Sequence, residues 1–177
     1  MPALDSLTRL RALILNNNNL SGLELLPVAP TLQTLVLSHN PALDGPALRA
    51  VAVCSALQKL SLAHLPLLDR LPSLAALTQL RELRLNDCAL SALPPLPSSL
   101  RLLDIGNNSK IKRLSAIDSA LQPLSALKDL NAVGTHLATA TADWRTLMEA
   151  MLPALMLLDR RPTERNKKVR SVCCFRS

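Results

Sequence analysis

The chain has 177 residues, is 49% hydrophobic and contains one Trp, one Phe and no Tyr, which predicts a single core of aliphatic side chains needing neither disulfide nor metal. No apolar run reaches the roughly 18 residues that cross a bilayer, and Asp5 interrupts the place where a secretory leader would be apolar, so a cytoplasmic or nuclear protein without membrane contact is expected. The net charge of +7 is uneven: residues 160–177 hold seven bases against Glu164, while the preceding 159 hold 13 bases and 12 acids.

The first organised segment, LRALILNNNNL, sets Leu10, Leu13, Leu15, Asn18 and Leu20 in the spacing L-x-x-L-x-L-x-x-N-x-L. The spacing returns at Leu32, Leu35, Leu37 and Asn40, and again at Leu57, Leu60 and Leu62, with Leu65 where asparagine is expected. It continues at Leu80, Leu83, Leu85, Cys88 and Leu90, then at Leu100, Leu103, Ile105 and Asn108, then at Leu127, Leu130, Ala132, Thr135 and Leu137. A truncated seventh copy holds Leu155 and Leu158, and successive starts lie 22, 25, 23, 20, 27 and 28 residues apart.

In an extended segment side chains alternate, so each L-x-L pair turns two leucines to the same side of a short strand. The Asn, Cys or Thr that follows marks an inward turn whose buried backbone groups need a side-chain partner. Leu65 has no such group, which predicts a different or looser turn in the third unit. Pro94, Pro95 and Pro97 exclude a regular helix between the fourth and fifth strands, whereas SAIDSALQPLSAL has room for a helical turn or two. Cys54 and Cys88 read as buried apolar positions, and the adjacent Cys173 and Cys174 do not suggest a disulfide framework.

Stacked units leave leucines bare at their ends. Trp144, Leu147, Met148, Met151 and Leu152 fall at helical spacing, so one apolar stripe of a helix closes the C-terminal end. At the other end, either Leu4 and Leu7 close the stack or a partner does.

These are leucine-rich-repeat periods, and the segment from 4 to 161 resembles the short leucine-rich-repeat proteins of the phosphatase-one regulatory subunit and spliceosomal A-prime class. Leu152, Pro153, Leu155, Leu158 and Asp159 match the capping motif of that class. The fold expected is α/β, a solenoid with a curved parallel β-sheet of about seven short strands and a convex side of 3-10, helical and irregular connectors. Residues 1–161 form the solenoid with its capping helix, and 162–177 form a basic tail.

Variable positions beside each L-x-L line the concave face, where neighbouring strands about 4.8 Å apart turn them into columns. One column reads Ile14, Val36, Ser61, Arg84, Asp104, Asn131; the other reads Ala12, Thr34, Lys59, Glu82, Leu102, Asp129. Apolar at the start and charged beyond, this face is the expected binding site for a protein partner in a multi-subunit complex, with Leu102 and Asp129 completing the second column. In the tail, Arg160, Arg161, Arg165, Lys167, Lys168 and Arg170 define the alternative, a ribonucleoprotein component touching RNA electrostatically.

The four glycines are isolated and no nucleophile stands with a base, so neither an enzyme nor a cofactor is expected. His39, His64 and Asp87 share a column after the strands but lack the rigid local spacing of zinc ligands, so no metal is expected. The last four residues, Cys174 to Ser177, have the length of a prenylation box, but Arg176 stands at an aliphatic position.

Overall fold

A computed structural model describes residues 9–23 and 31–167 of the chain. One sheet takes its strands in chain order: β1 (Ala12–Ile14), β2 (Thr34–Val36), β3 (Lys59–Ser61), β4 (Glu82–Arg84), β5 (Leu102–Asp104), β6 (Asp129–Asn131), β7 (Leu157–Leu158) and β8 (Arg161–Pro162). The first seven are parallel, and leucine meets leucine at each central rung: Leu13, Leu35, Leu60, Leu83, Leu103, Leu130. From β2 onward these leucines are buried, together with Leu37, Leu62, Leu85 and Ile105 two residues later. Just before each strand, the carbonyls of Arg11, Gln33, Gln58, Arg81, Arg101 and Lys128 each accept two amides of the next repeat, at 2.8 to 3.0 Å.

The strands end after three residues because the chain enters the left-handed region shortly afterwards, at Asn17, His39, His64, Asp87 and Asn107, with φ between 57° and 59°. Asn, Asp and His tolerate that conformation better than branched residues. Each of these five amides donates to a carbonyl of the following repeat, at 2.8 to 3.1 Å. The third unit therefore turns like its neighbours, against the expectation from Leu65: His64 has φ 58° and its amide donates to Asn86. The backbone angle is set one residue before Leu65, and a fully buried leucine fills the inward position by volume alone.

At Asn40, Asn108, Cys88 and Thr135 that position works as predicted, whereas Asn18 of the first unit is exposed and donates only to Leu15 and Asn16 of its own unit. The Asn40 amide donates to its own Leu37 carbonyl (2.8 Å) and to Leu15 of the preceding unit (2.9 Å), while its oxygen accepts from the Leu20 amide (3.1 Å). Asn108 repeats this with Ile105 (2.9 Å), Leu85 (2.8 Å) and the Leu90 amide (3.1 Å). The Cys88 thiol donates to Leu62 (3.1 Å), and the Thr135 hydroxyl donates to Ala132 (2.8 Å) while capping the following helix through the Ala138 amide (3.2 Å).

The connectors include a 3-10 helix at Ala47–Val53, another at Leu114–Ala116, and α1 (Asp118–Leu121), whereas the proline-rich stretch 91–99 has no regular helix. After β6 come α2 (His136–Ala140) and α3 (Trp144–Met151). Helix α3 covers the last repeat with the predicted stripe: Trp144, Met148 and Leu152 are buried, and Leu147 and Met151 pack beside them. The Trp144 indole N–H donates to Asp159 (3.0 Å), whose other oxygen accepts from the Ala132 amide (2.8 Å), joining cap, sheet and helix.

An eighth strand adds to the seven expected, with β8 antiparallel to β7. Residues 162–167, assigned to the tail on sequence, are docked against the cap. The Thr163 hydroxyl, fully buried, donates to Leu155 (3.0 Å), and the Asn166 side chain donates to Met156 (3.1 Å). Arg145 donates to the Pro162 carbonyl (3.0 Å). Leu4 and Leu7, and the tail from Lys168 and Arg170 to Cys173, Cys174 and Ser177, lie outside the described residues.

Candidate partner-binding face

The register brings both sequence columns onto adjacent rungs. Ile14, Val36, Ser61, Arg84, Asp104 and Asn131 are successive partners, as are Ala12, Thr34, Lys59, Glu82, Leu102 and Asp129. Their accessibility differs. Ile14 is 64% exposed, Ala12, Lys59 and Arg84 are exposed, and Thr34, Val36, Ser61, Glu82, Leu102, Asp104 and Asp129 are half-buried.

Asn131 is the exception among the expected contact residues, since it is buried and spoken for. Its side-chain amide donates to Asp104 (2.9 Å) and its oxygen accepts from the Val133 amide (3.3 Å). The same Asp104 oxygen accepts from the Gly106 amide (3.0 Å), so both side chains are held by their own strand ends.

In the middle of the face Lys59 and Glu82 form an ion pair at 2.9 Å. Lys59 is exposed and Glu82 about a third exposed, so solvent screens the pair: it contributes at most about 1 kcal/mol and can be broken by a partner at little cost. Thr34, Val36, Lys59, Ser61, Glu82 and Arg84 surround a shallow hollow of about 240 Å³. A second hollow, of about 190 Å³, is lined by Arg84, Leu102, Asp104, Asp129, Asn131 and Arg160. Burial raises the Asp129 carboxyl above the ordinary aspartate range, and Asp104 adds to this while Arg84 opposes it.

The basic residues expected to touch RNA are not one group. Arg160 sits in a left-handed turn (φ 62°) and lines the concave hollow, whereas Arg161 belongs to β8. Arg165 and Lys167 are exposed in the helical turn 164–167, and Lys167 is paired with Glu164. Nothing in the sequence marked Arg160 as concave; its direction follows from the reversal between β7 and β8.

The His39 and His64 rings stack at 4.1 Å with 13° between planes, and His64 Nε2 lies 3.6 Å from Asp87. The hydrogen bond from Asn86 holds the Asp87 carboxyl below its usual range, helped by Asn107 and the two histidines. Among the described residues no group of three or more His, Cys, Asp or Glu could hold a metal ion. No helix among them is long and apolar enough to cross a membrane.

A single register of parallel three-residue strands, with one inward side chain bridging neighbouring units, defines a leucine-rich-repeat solenoid. Among solved structures, a chain in the Crystal structure of Drosophila melanogaster SNF/U2A' complex is similar in fold, with a TM-score of 0.58 and 20% identity over 73% of this chain and 74% of that chain. No protein-family model and no curated protein matches the sequence.

Proposed function

We propose that the protein is a non-enzymatic scaffold, a subunit of a larger cytoplasmic or nuclear assembly, that seats a protein partner on its concave face. The observation that carries this reading is Ile14, 64% exposed at the head of the column with Val36 on the next rung, beside an open hollow rimmed by breakable charge. Ala12, Thr34, Lys59, Ser61, Glu82, Arg84 and Asp104 complete the contact surface; Asn131, buried and bonded to Asp104, lines its second hollow. The similar fold from Drosophila melanogaster was solved within the SNF/U2A' complex, which is consistent with a scaffold of this kind.

The test is crosslinking mass spectrometry of the native assembly, followed by partner recovery with Ile14→Arg plus Val36→Arg. The folded double variant should lose recovery by at least about tenfold, as central contact residues do. Unchanged recovery refutes concave-face binding. The alternative, RNA contact through Arg160, Arg161, Arg165, Lys167, Lys168 and Arg170, has less support, because Arg160 faces the concave hollow and Lys167 is paired.

A further inference from the structure

A third column stands outside the concave pair, on the residues that open each strand: Arg11, Gln33, Gln58, Arg81, Arg101 and Lys128. It contains four bases and no acid, although the solenoid body as a whole is nearly neutral. Arg81, Arg101 and Lys128 occupy consecutive rungs, because the Arg101 amide donates to Arg81 and the Lys128 amide donates to Arg101, both at 2.8 Å. All three are exposed, and none has a salt bridge among the described residues. The acids next to them do not pair with them: Glu82 pairs with Lys59, and the half-buried Asp129 lines the second hollow, where the nearby base acting on it is Arg84.

We propose that this rim, Arg81 with Arg101 and Lys128, binds the phosphodiester backbone of a nucleic acid strand. The inference does not depend on the concave-face reading, since it concerns a different surface. Like charges held on adjacent rungs about 4.8 Å apart, without counter-charges, favour an anion that is itself periodic. Long flexible side chains splay from that spacing to successive phosphates. Neighbouring rungs offer Gln33 and Gln58, further hydrogen-bond donors, and no exposed aromatic or large aliphatic anchor of the kind a protein interface needs. Binding of this type is electrostatic, weakly sequence-dependent and steeply salt-sensitive.

The experiment uses the full chain and fluorescein-labelled oligouridylate and oligothymidylate, with affinity measured by anisotropy between about 50 and 200 mM KCl. In Arg81→Gln/Arg101→Gln/Lys128→Gln, the loss of three phosphate contacts should reduce the slope of log affinity against log salt by about 2. Binding at the lowest salt should fall at least about tenfold. Arg81→Lys/Arg101→Lys should keep the wild-type slope, which separates loss of charge from loss of fold. Equal binding of both oligomers identifies the phosphodiester alone as the ligand, and a preference for oligouridylate identifies RNA; either supports the proposal. An unchanged slope in the triple Gln variant overturns it, as does binding abolished by deleting 168–177 but untouched by the triple variant. Polyglutamate bound as tightly as the oligomers, with the same dependence on the three residues, also overturns it in favour of an acidic protein.

Discussion

Replacing Asn108 with Ala tests the physical basis of the stack. The side chain is fully buried and its three shortest bonds hold the Ile105 carbonyl of its own unit, the Leu85 carbonyl of the preceding unit, and the Leu90 amide, with a longer one to the Gly106 carbonyl. A buried hydrogen bond contributes about 1 kcal/mol net, and a donor left unpaired costs more, so Asn108→Ala should destabilise by about 3 kcal/mol. For a chain of this size that corresponds to a melting temperature lowered by roughly 6 to 12 °C. Asn18→Ala is the internal control, because that side chain is exposed and its contacts to Leu15 and Asn16 compete with water. It should cost about 0.5 kcal/mol or less. Circular dichroism melts give both values, and hydrogen exchange should show lost protection at the Leu90 amide. Melting of Asn108→Ala within about 2 °C of Asn18→Ala would refute the claim that this side chain joins the repeats.

Other substitutions probe other joints. Asp159→Ala removes the acceptor shared by Ala132 and Trp144 and should destabilise the cap by about 2 kcal/mol; the single Trp reports it, and an unchanged urea midpoint by tryptophan emission would count against the joint. A Cβ at Gly45 would lie 2.4 Å from the Arg70 carbonyl oxygen, so Gly45→Ala should cost at least about 1 kcal/mol, visible as a lower urea midpoint. Burial pushes the Cys88 thiol up to about 11, so at pH 8 it should alkylate with iodoacetamide roughly 100-fold more slowly than an ordinary cysteine, as read by peptide mapping. Because the Asp129 carboxyl is raised by burial and Asp104, its ionisation costs the native state stability as pH rises through its native range. Asp129→Asn should therefore be more stable than wild type at pH 7, with the difference vanishing below the ordinary aspartate range; a constant difference would refute this.

The strand positions and both concave columns are legible because L-x-L spacing fixes orientation, and one inward residue per unit fixes register. Leu65 shows where this reasoning fails. The turn needs a tolerant residue at His64 rather than a polar one after it, and the Leu62 carbonyl finds its donor in Cys88, 26 residues away. Strand β8 and the docked residues 162–167 leave no periodic trace, since they rest on two paired residues and on side-chain contacts from Thr163 and Asn166. Asn131 reads as a contact residue from its place in the column, and only the structure shows that its side chain is buried and already bonded to Asp104. The basic rim is scattered along the chain, with Arg81, Arg101 and Lys128 separated by 20 and 27 residues, and becomes a surface only through the register.

Strand β8 also gives the stack a direction. Seven strands run one way, and the eighth runs back for two residues, one of them Pro162, which has no N–H to offer. A further parallel unit finds no matching run of amides on that edge, and neither does the edge of a second molecule. In polymer terms this edge is capped among the described residues: a reversed two-residue strand stands where each earlier repeat met a parallel neighbour.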